Sequence, residues 1–261
     1  MSGANKYKVP SMAEVKSTKP NGFEVASTFA GGGGSSLGYR MAGFKVLYAN
    51  EFVPEARETY KANASESTYL DGRDIRKVSA EDILEKIGKK KGELDVFDGS
   101  PPCASFSMAG AREKHWGKVK QYSGTTQQTD NLFEEYLRLV EGINPKVFIA
   151  ENVQGLIIGK AKGYFNEILR KAKSLGYNTS ASVIDASWLG VPQSRKRVIF
   201  CGVREDVGKP SFPAPFKFRY SIKNALEDTK NLGIPEPETS MKGYAVYREA
   251  IKLKQGERSK K

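Results

Sequence analysis

Residues 23–51 read FEVASTFAGGGGSSLGYRMAGFKVLYANE, and this stretch decides the fold. The run Phe23 to Phe29 has the length and composition of a buried strand, the glycines Gly31 to Gly34 follow it and lead into a helical turn, and KVLYAN (Lys45 to Asn50) reads as a second strand. Glycines at a strand-to-helix junction let a ligand approach the backbone and expose the helix N-terminal amides. Glu51 ends the second strand about 20 residues further on, where an acidic side chain is placed to hold both hydroxyls of a ribose. No Gly-Lys-Ser/Thr follows the glycines, so this is not a phosphate-gripping loop of the NTPase kind. The pattern points to an adenosyl-type ligand, either a dinucleotide or S-adenosylmethionine; the competing reading is a flexible turn.

Working outward, LDVFD (Leu94 to Asp98), KVFIA (Lys146 to Ala150), TSASVI (Thr179 to Ile184) and RVIFCGV (Arg197 to Val203) are further strand-like runs. Helical stripes lie between them. Leu132, Phe133, Tyr136, Leu137, Val140 and Ile143 share one face, begun by Asp130 as N-cap and stopped by Pro145. Phe165, Ile168, Leu169, Ala172 and Leu175 share another, closed by Gly176, and Ser79 with Asp82 forms a capping-box start for EDILEKIGKK. In GRDI, Asp74 is expected at a strand end, where it can accept from an adenine amino group. Strand and helix alternate, which predicts an α/β fold with a doubly wound, mostly parallel sheet covered on both faces.

Three segments are expected: a loose polar head over residues 1–20, a cofactor and catalytic domain over 21–205, and an extension over 206–261. The extension is Pro-rich and strand-poor at GKPSFPAPFKF, has one short helical pattern at SIKNALED, and needs something to pack on unless it is a disordered tail. The whole chain has 261 residues, with 42 Lys plus Arg against 30 Asp plus Glu and a formal charge of +12. That excess favours a polyanionic partner. No apolar run is long enough to span a bilayer and the N-terminus lacks a signal-peptide core, so a soluble, cytoplasmic protein is expected. Two cysteines and one histidine leave no ordinary zinc or histidine-rich metal set, so metal-free chemistry is expected.

Chemistry-bearing residues follow three of the later strands. In DGSPPCASFS (Asp98 to Ser107) two prolines stiffen the backbone that presents Cys103, and the small residues after it suit a mobile loop. Cys201 sits inside an apolar run and reads as inert filler. In FIAENVQGL, Glu151 follows an apolar strand, a place where a carboxyl loses solvent and its pKa rises; Asn152 beside it suits a polar pocket wall. A turn-forming Glu-Asn pair is the competing reading. In VPQSRKRVIF, Arg195 and Arg197 fall on one side of an extended chain, a pair that grips a phosphate or a base carbonyl, or else a solvated strand entry.

Taken in order, these motifs resemble the DNA (cytosine-5) methyltransferase family. The likeness covers Phe23 to about Arg204. It lies in Phe29-Ala30-Gly31-Gly32-Gly33-Gly34, in Asn50-Glu51, in Pro102-Cys103, in Glu151-Asn152-Val153 and in Gln193-Ser194-Arg195-Lys196-Arg197. The resemblance implies S-adenosylmethionine as cofactor, held by Phe29, Ala30, Gly31, Gly33, Gly34, Ser36, Leu37, Glu51, Phe52, Asp74, Ile75 and Leu132. It implies Cys103 as nucleophile toward carbon 6 of cytosine and Glu151 as proton donor to N3. Arg195 and Arg197 would hold the base or phosphate, and Ser100, Pro102, Asn152 and Val153 would line the base pocket. Double-stranded DNA becomes the expected partner, its target base flipped out beneath a lid over Ser105 to Gly124. One departure is local: the family's first motif usually opens with Asp, and Ser27 stands there, which bears on how the methionine end of the cofactor is held.

Amino-methylating enzymes share the glycine loop but carry an aromatic after Pro-Pro, where this chain has Cys103. An RNA substrate shares the thiol chemistry and stays open as an alternative. The recognition region and the later motifs that the family carries after Val203 do not occur in this sequence. The resulting expectation is a catalytic subunit of a two-chain restriction-modification enzyme, docking through Tyr244, Val246, Tyr247 and Ile251 on a second subunit that carries target recognition. A non-catalytic regulatory module and a truncated product are the alternatives.

Overall fold

A computed structural model of the chain describes residues 7–102, 120–122, 125–127, 131–157 and 161–229. Cys103, Asp130, most of the expected lid, and the expected docking residues Tyr244, Val246, Tyr247 and Ile251 lie outside the described residues. Two compact units are present, and neither is contiguous in sequence. The larger comprises residues 10–185 and 196–214; the smaller comprises residues 1–9, 186–195 and 215–261.

The larger unit opens with a short helix, α1 (Met12–Lys16), inside the head expected to be loose. Ser11 and Glu14 cap it reciprocally and Val15 is buried, which is why order begins well before Phe23. There follow β1 (Glu24–Thr28), α2 (Gly34–Met41), β2 (Lys45–Asn50), α3 (Pro54–Asn63), β3 (Tyr69–Asp71), α4 (Ala80–Ile87) and β4 (Val96–Gly99). A small antiparallel hairpin, β5 (Lys120–Tyr122) with β6 (Thr125–Gln127), occupies part of the region read as a lid. Then come α5 (Leu132–Ile143), β7 (Val147–Val153), α6 (Ala161–Ser174), β8 (Tyr177–Asp185) and β9 (Lys196–Arg204). The main sheet has seven strands in the order β3-β2-β1-β4-β7-β9-β8. Pairings β3-β2-β1-β4-β7 are parallel, whereas β9 runs antiparallel to both β7 and β8. This is the doubly wound, mostly parallel α/β sheet expected from the alternating pattern.

Strand alternation gives each face its own core. One face carries Ala26, Tyr48, Phe97, Phe148 and Ala150 against α4, α5 and α6, with Tyr136 of α5 at its centre. Phe97 stacks on Tyr136 at 5.2 Å between centroids, and Phe148 meets Tyr136 and Tyr177 edge-on. Each such fully buried ring contributes roughly 1.5–3 kcal/mol of transfer free energy. The other face carries Val25, Val46 and Val96, packed with Tyr39, Phe44, Val147 and Ile149.

Local signals place the helices. Ser79 and Asp82 form the expected capping box of α4, and Gly88 closes that helix at φ 66°. Helix α5 starts at Leu132 with Asn131 as N-cap and ends on Asn144 at φ 51°, one residue before Pro145. In the smaller unit, residues 186–195 meet residues 215–220. Phe216 N–H donates to the Trp188 carbonyl at 2.7 Å, the Arg219 guanidinium lies 4.6 Å from the Trp188 ring centroid, and Tyr220 packs edge-on to Tyr7 and Phe218. The unit also holds α7 (Ile222–Thr229).

Candidate active site

The parallel strands deliver their C-terminal ends to one edge of the sheet, where an open α/β fold places its reactive groups. The glycine loop begins at the end of β1 with Phe29 in the left-handed region, φ 52°, a conformation few large side chains adopt. Gly31 and Gly33 continue at φ 54° and 94°. Gly33 must be glycine for a second reason: an added Cβ would come 3.0 Å from the ring of Tyr60. Tyr60 in turn donates its hydroxyl to Ser36 at 2.9 Å and so seats the first turn of α2 on α3. Beside Gly34 the space is open, so the amides at the start of α2 are approachable.

Glu51 is buried just past β2, and both its oxygens accept backbone N–H groups, from Gly31 and from Val53, each at 2.7 Å. It thereby ties the glycine loop to the loop after β2. Arg57 braces the same corner, donating to the Phe52 carbonyl at 2.7 Å and to Glu51 and Gly72 carbonyls at 3.2 and 3.4 Å. Below it, Asp71 accepts from Tyr48 and from Arg73. Burial pushes the Asp71 carboxyl up, but the Arg73 and Tyr48 hydrogen bonds outweigh burial and hold it below the ordinary carboxylate range. A glycine loop that only left-handed residues can trace, exposed helix amides and a carboxylate at the next strand end together fit the adenosyl and methionine ends of S-adenosylmethionine.

Asp74, expected at a strand end, stands three residues beyond β3. It caps the turn Ile75–Lys77, accepting from Arg76 N–H at 3.0 Å and pairing with the Arg76 guanidinium at 3.0 Å. Ile75 and Leu132, expected to line an adenine pocket, are 2% and 0% exposed and belong to the main apolar core.

The second group of candidate residues lies on and beside β4, β7 and β9. Strand β7 extends through Val153, so Glu151 lies within it and not after it. Alternation then sends Glu151 and Asn152 to opposite faces. Asn152 is buried, donating its amide to the Pro101 carbonyl at 3.1 Å and accepting from Val153 N–H at 2.8 Å. It anchors the Ser100-Pro101-Pro102 segment that leads to Cys103. Glu151 pairs in register with Ile199, and Arg197 sits on the same face one diagonal step along β9. The Arg197 Nε reaches Glu151 Oε1 at 2.7 Å, with side-chain exposures of 26% and 31%. The desolvated carboxyl expected at Glu151 is therefore a partly exposed one beside a guanidinium, because the strand's alternation turns it outward. Arg195 precedes β9 and belongs to the smaller unit, where it is exposed and its carbonyl accepts from Ala186 N–H at 3.0 Å.

Sequence reasoning passed over Asp98, Tyr39 and Arg57. Asp98, the third residue of β4, is buried and accepts from Ser35 at 2.7 Å, Ser27 at 2.9 Å and Tyr39 at 3.3 Å. Burial pushes its carboxyl above the usual range despite the three hydroxyls. A single Asp carries no sequence signal of such a cluster. Cys201, read as filler, is buried in β9, and burial raises its thiol pKa. Among the described residues, no group of three or more His, Cys, Asp or Glu side chains is placed to hold a metal ion. No helix among them is long and apolar enough to cross a membrane.

Comparison with known proteins adds to this geometry. A family model for the C-5 cytosine-specific DNA methylase matches residues 23–261. The Type II methyltransferase M.NgoPII of Neisseria gonorrhoeae is 33% identical over 229 residues, which cover 86% of this chain and 62% of that protein. M1.HphI of Haemophilus parahaemolyticus is 36% identical over 193 residues, covering 74% and 49%. A solved structure described as a DNA modification methyltransferase encoded within an E. coli prophage matches with a TM-score of 0.59 and 27% identity, covering 78% of this chain and 54% of that one. The chain thus spans 49–62% of the length of these two sequence relatives.

Proposed function

Because the chain belongs to the C-5 cytosine-specific DNA methylase family, we propose that it transfers a methyl group from S-adenosylmethionine to carbon 5 of a flipped-out cytosine in duplex DNA. The observation that carries this reading is the convergence, at one sheet edge, of the Glu51-braced glycine loop, the Asn152-anchored Pro101-Pro102 segment and the Glu151–Arg197 pair.

Carbon 5 of cytosine is a weak nucleophile, so the ring needs covalent activation. The Cys103 thiolate adds to carbon 6, and the electron pair displaced from the 5,6 double bond flows toward N3. Glu151 supplies the proton that N3 takes up. Arg197 pairs with Glu151 before the base arrives; when its guanidinium turns to the base carbonyl, the released Glu151 carboxylate takes a proton from water and delivers it to N3 at the ring edge. S-adenosylmethionine supplies an electrophilic methyl on its sulfonium. Carbon 5 takes that methyl, leaving S-adenosylhomocysteine; the carbon 5 proton then leaves to a base or water, N3 returns its proton to Glu151, and the Cys103 bond to carbon 6 breaks, releasing the thiolate as the 5,6 double bond re-forms. Arg195 supports the base or the phosphate.

Target recognition falls, in this reading, to a second subunit. The +12 charge would share the DNA backbone with that subunit, and the setting would be cytoplasmic. The test is trapping on duplex DNA containing 5-fluorocytosine, with S-adenosylmethionine, with and without the product of the neighbouring gene. A covalent adduct that C103S abolishes is the expected result. An adduct surviving in C103S removes Cys103 from its role, and no adduct under either condition sinks the enzymatic reading. An adduct from the chain alone refutes the need for a second subunit.

A further inference from the structure

Asp98 is a buried carboxylate that the reaction above leaves without a task. It lies on β4 directly opposite Ser27 of β1, in parallel register. Ser27 and Ser35 both donate to its Oδ2, and Tyr39 donates to its Oδ1. The three donors come from different places: the end of β1, the first turn of α2, and the body of α2. One carboxylate therefore locks together the two ends of the glycine loop, with Ser27 before it and Ser35 just after it. Ser35 is exposed whereas Ser27 and Asp98 are not, so the cluster reaches the surface at the loop itself. A negative charge is also favourable beside the N-terminal amides of α2. Ser27 is the position at which the first motif departs from its usual Asp.

We infer that Asp98 is a positioning residue for the cofactor loop, supplying from β4 the carboxylate that would otherwise stand at position 27 on β1. The two positions face each other across one strand spacing, about 4.8 Å, and Ser27 donates to the Asp98 carboxylate. This rests on reading the glycine loop as the S-adenosylmethionine site.

The test compares D98N, D98A, S35A and the exchange S27D/D98S in the full chain, together with any partner needed for turnover. Calorimetry with S-adenosylhomocysteine, steady-state kinetics, and hydrogen exchange of the amides of residues 31–37 without cofactor are the readouts. D98A is expected to weaken S-adenosylhomocysteine binding about tenfold, the effect of losing roughly one well-made charge-assisted hydrogen bond. Its loss should fall on KM for S-adenosylmethionine more than on kcat, and the loop amides should exchange about tenfold faster. D98N should be intermediate, S35A should weaken binding a few-fold, and the exchange should recover most of the affinity lost in D98A. Unchanged binding and exchange in D98A and S35A would overturn the inference, as would an exchange variant that folds yet binds no better than D98A. If the exchange variant does not fold, S35A decides, because it removes one of the same bonds from an exposed site. A wild-type chain that binds no S-adenosylhomocysteine would instead overturn the cofactor reading, and loop exchange in D98A would still report whether Asp98 positions the loop.

Discussion

Replacing Gly99 by alanine tests how the core holds the candidate catalytic edge. Gly99 is the last residue of β4, on the face that packs against α5, and it leads directly into Ser100-Pro101-Pro102. A Cβ there would stand 2.5 and 2.7 Å from two ring carbons of Tyr136 and 2.8 Å from Thr28 Oγ1. Restoring ordinary contact needs a retreat of roughly 1 Å. The ring has little freedom to make it, since the Tyr136 hydroxyl sits 2.9 Å from the carbonyls of both Phe97 and Ile149, and Phe97 stacks on its face. Overpacking of this kind costs about 1–3 kcal/mol, and weakening a buried hydrogen bond adds about 1–2 kcal/mol. A loss of about 3 kcal/mol is expected, which at a urea m-value near ~3 kcal/mol/M moves the midpoint down by about 1 M. Urea denaturation followed by tryptophan fluorescence and circular dichroism measures it. The same substitution in a Y136L background should cost about 1–2 kcal/mol less, because the obstructing ring is gone and only the Thr28 Oγ1 contact remains. A G99A midpoint within about 0.2 M of wild type, or an undiminished cost in the Y136L background, would refute the reasoning.

Other outcomes follow from the same geometry. N152A removes the amide that holds the Pro101 carbonyl; it should cost about 1–3 kcal/mol and lower kcat more than it raises KM for S-adenosylmethionine, measured by denaturation and steady-state kinetics. Asp71 has a folded-state pKa below its unfolded value near ~3.9, so its stabilisation is present above that pH and is lost as pH falls through the folded value. D71N should therefore be about 2 kcal/mol less stable at pH 7, with the gap to wild type closing below about pH 4 in denaturation curves; a pH-independent gap contradicts this. In C103S the remaining thiol is Cys201, buried with a raised pKa, and it should resist iodoacetamide at about pH 8 until the protein is unfolded, as read by intact mass. R197K should weaken base holding by about 1–2 kcal/mol in kcat/KM, measured by steady-state kinetics, since an ammonium lacks the planar fork with which a guanidinium grips a carbonyl.

Much of the architecture was legible in short-range patterns. The six strand-like runs all became strands of the main sheet, and the α4 capping box needs only Ser79 and Asp82 three residues apart. Errors came where a boundary depended on pairing. Strand β7 runs through Glu151 because β9 supplies partners as far as Val153, which no local pattern announces. That extension alone separates Glu151 from Asn152 and gives the two neighbours different tasks. Leu132 and Ile75, expected beside the cofactor by position, are buried members of the main core, a packing that no local pattern announces.

The order and spacing of the motifs carry the fold class, the candidate cofactor loop and the candidate chemistry, because strand, loop and helix signals are local and the residue types themselves state the reaction. Only the tertiary structure decided which side chains meet. Arg197 and Glu151 are brought together by an antiparallel register, and Asp98 gathers hydroxyls from residues 59 to 71 positions away in the chain. Such contacts depend on strand order and face, and neither quantity is written in any single segment of the sequence.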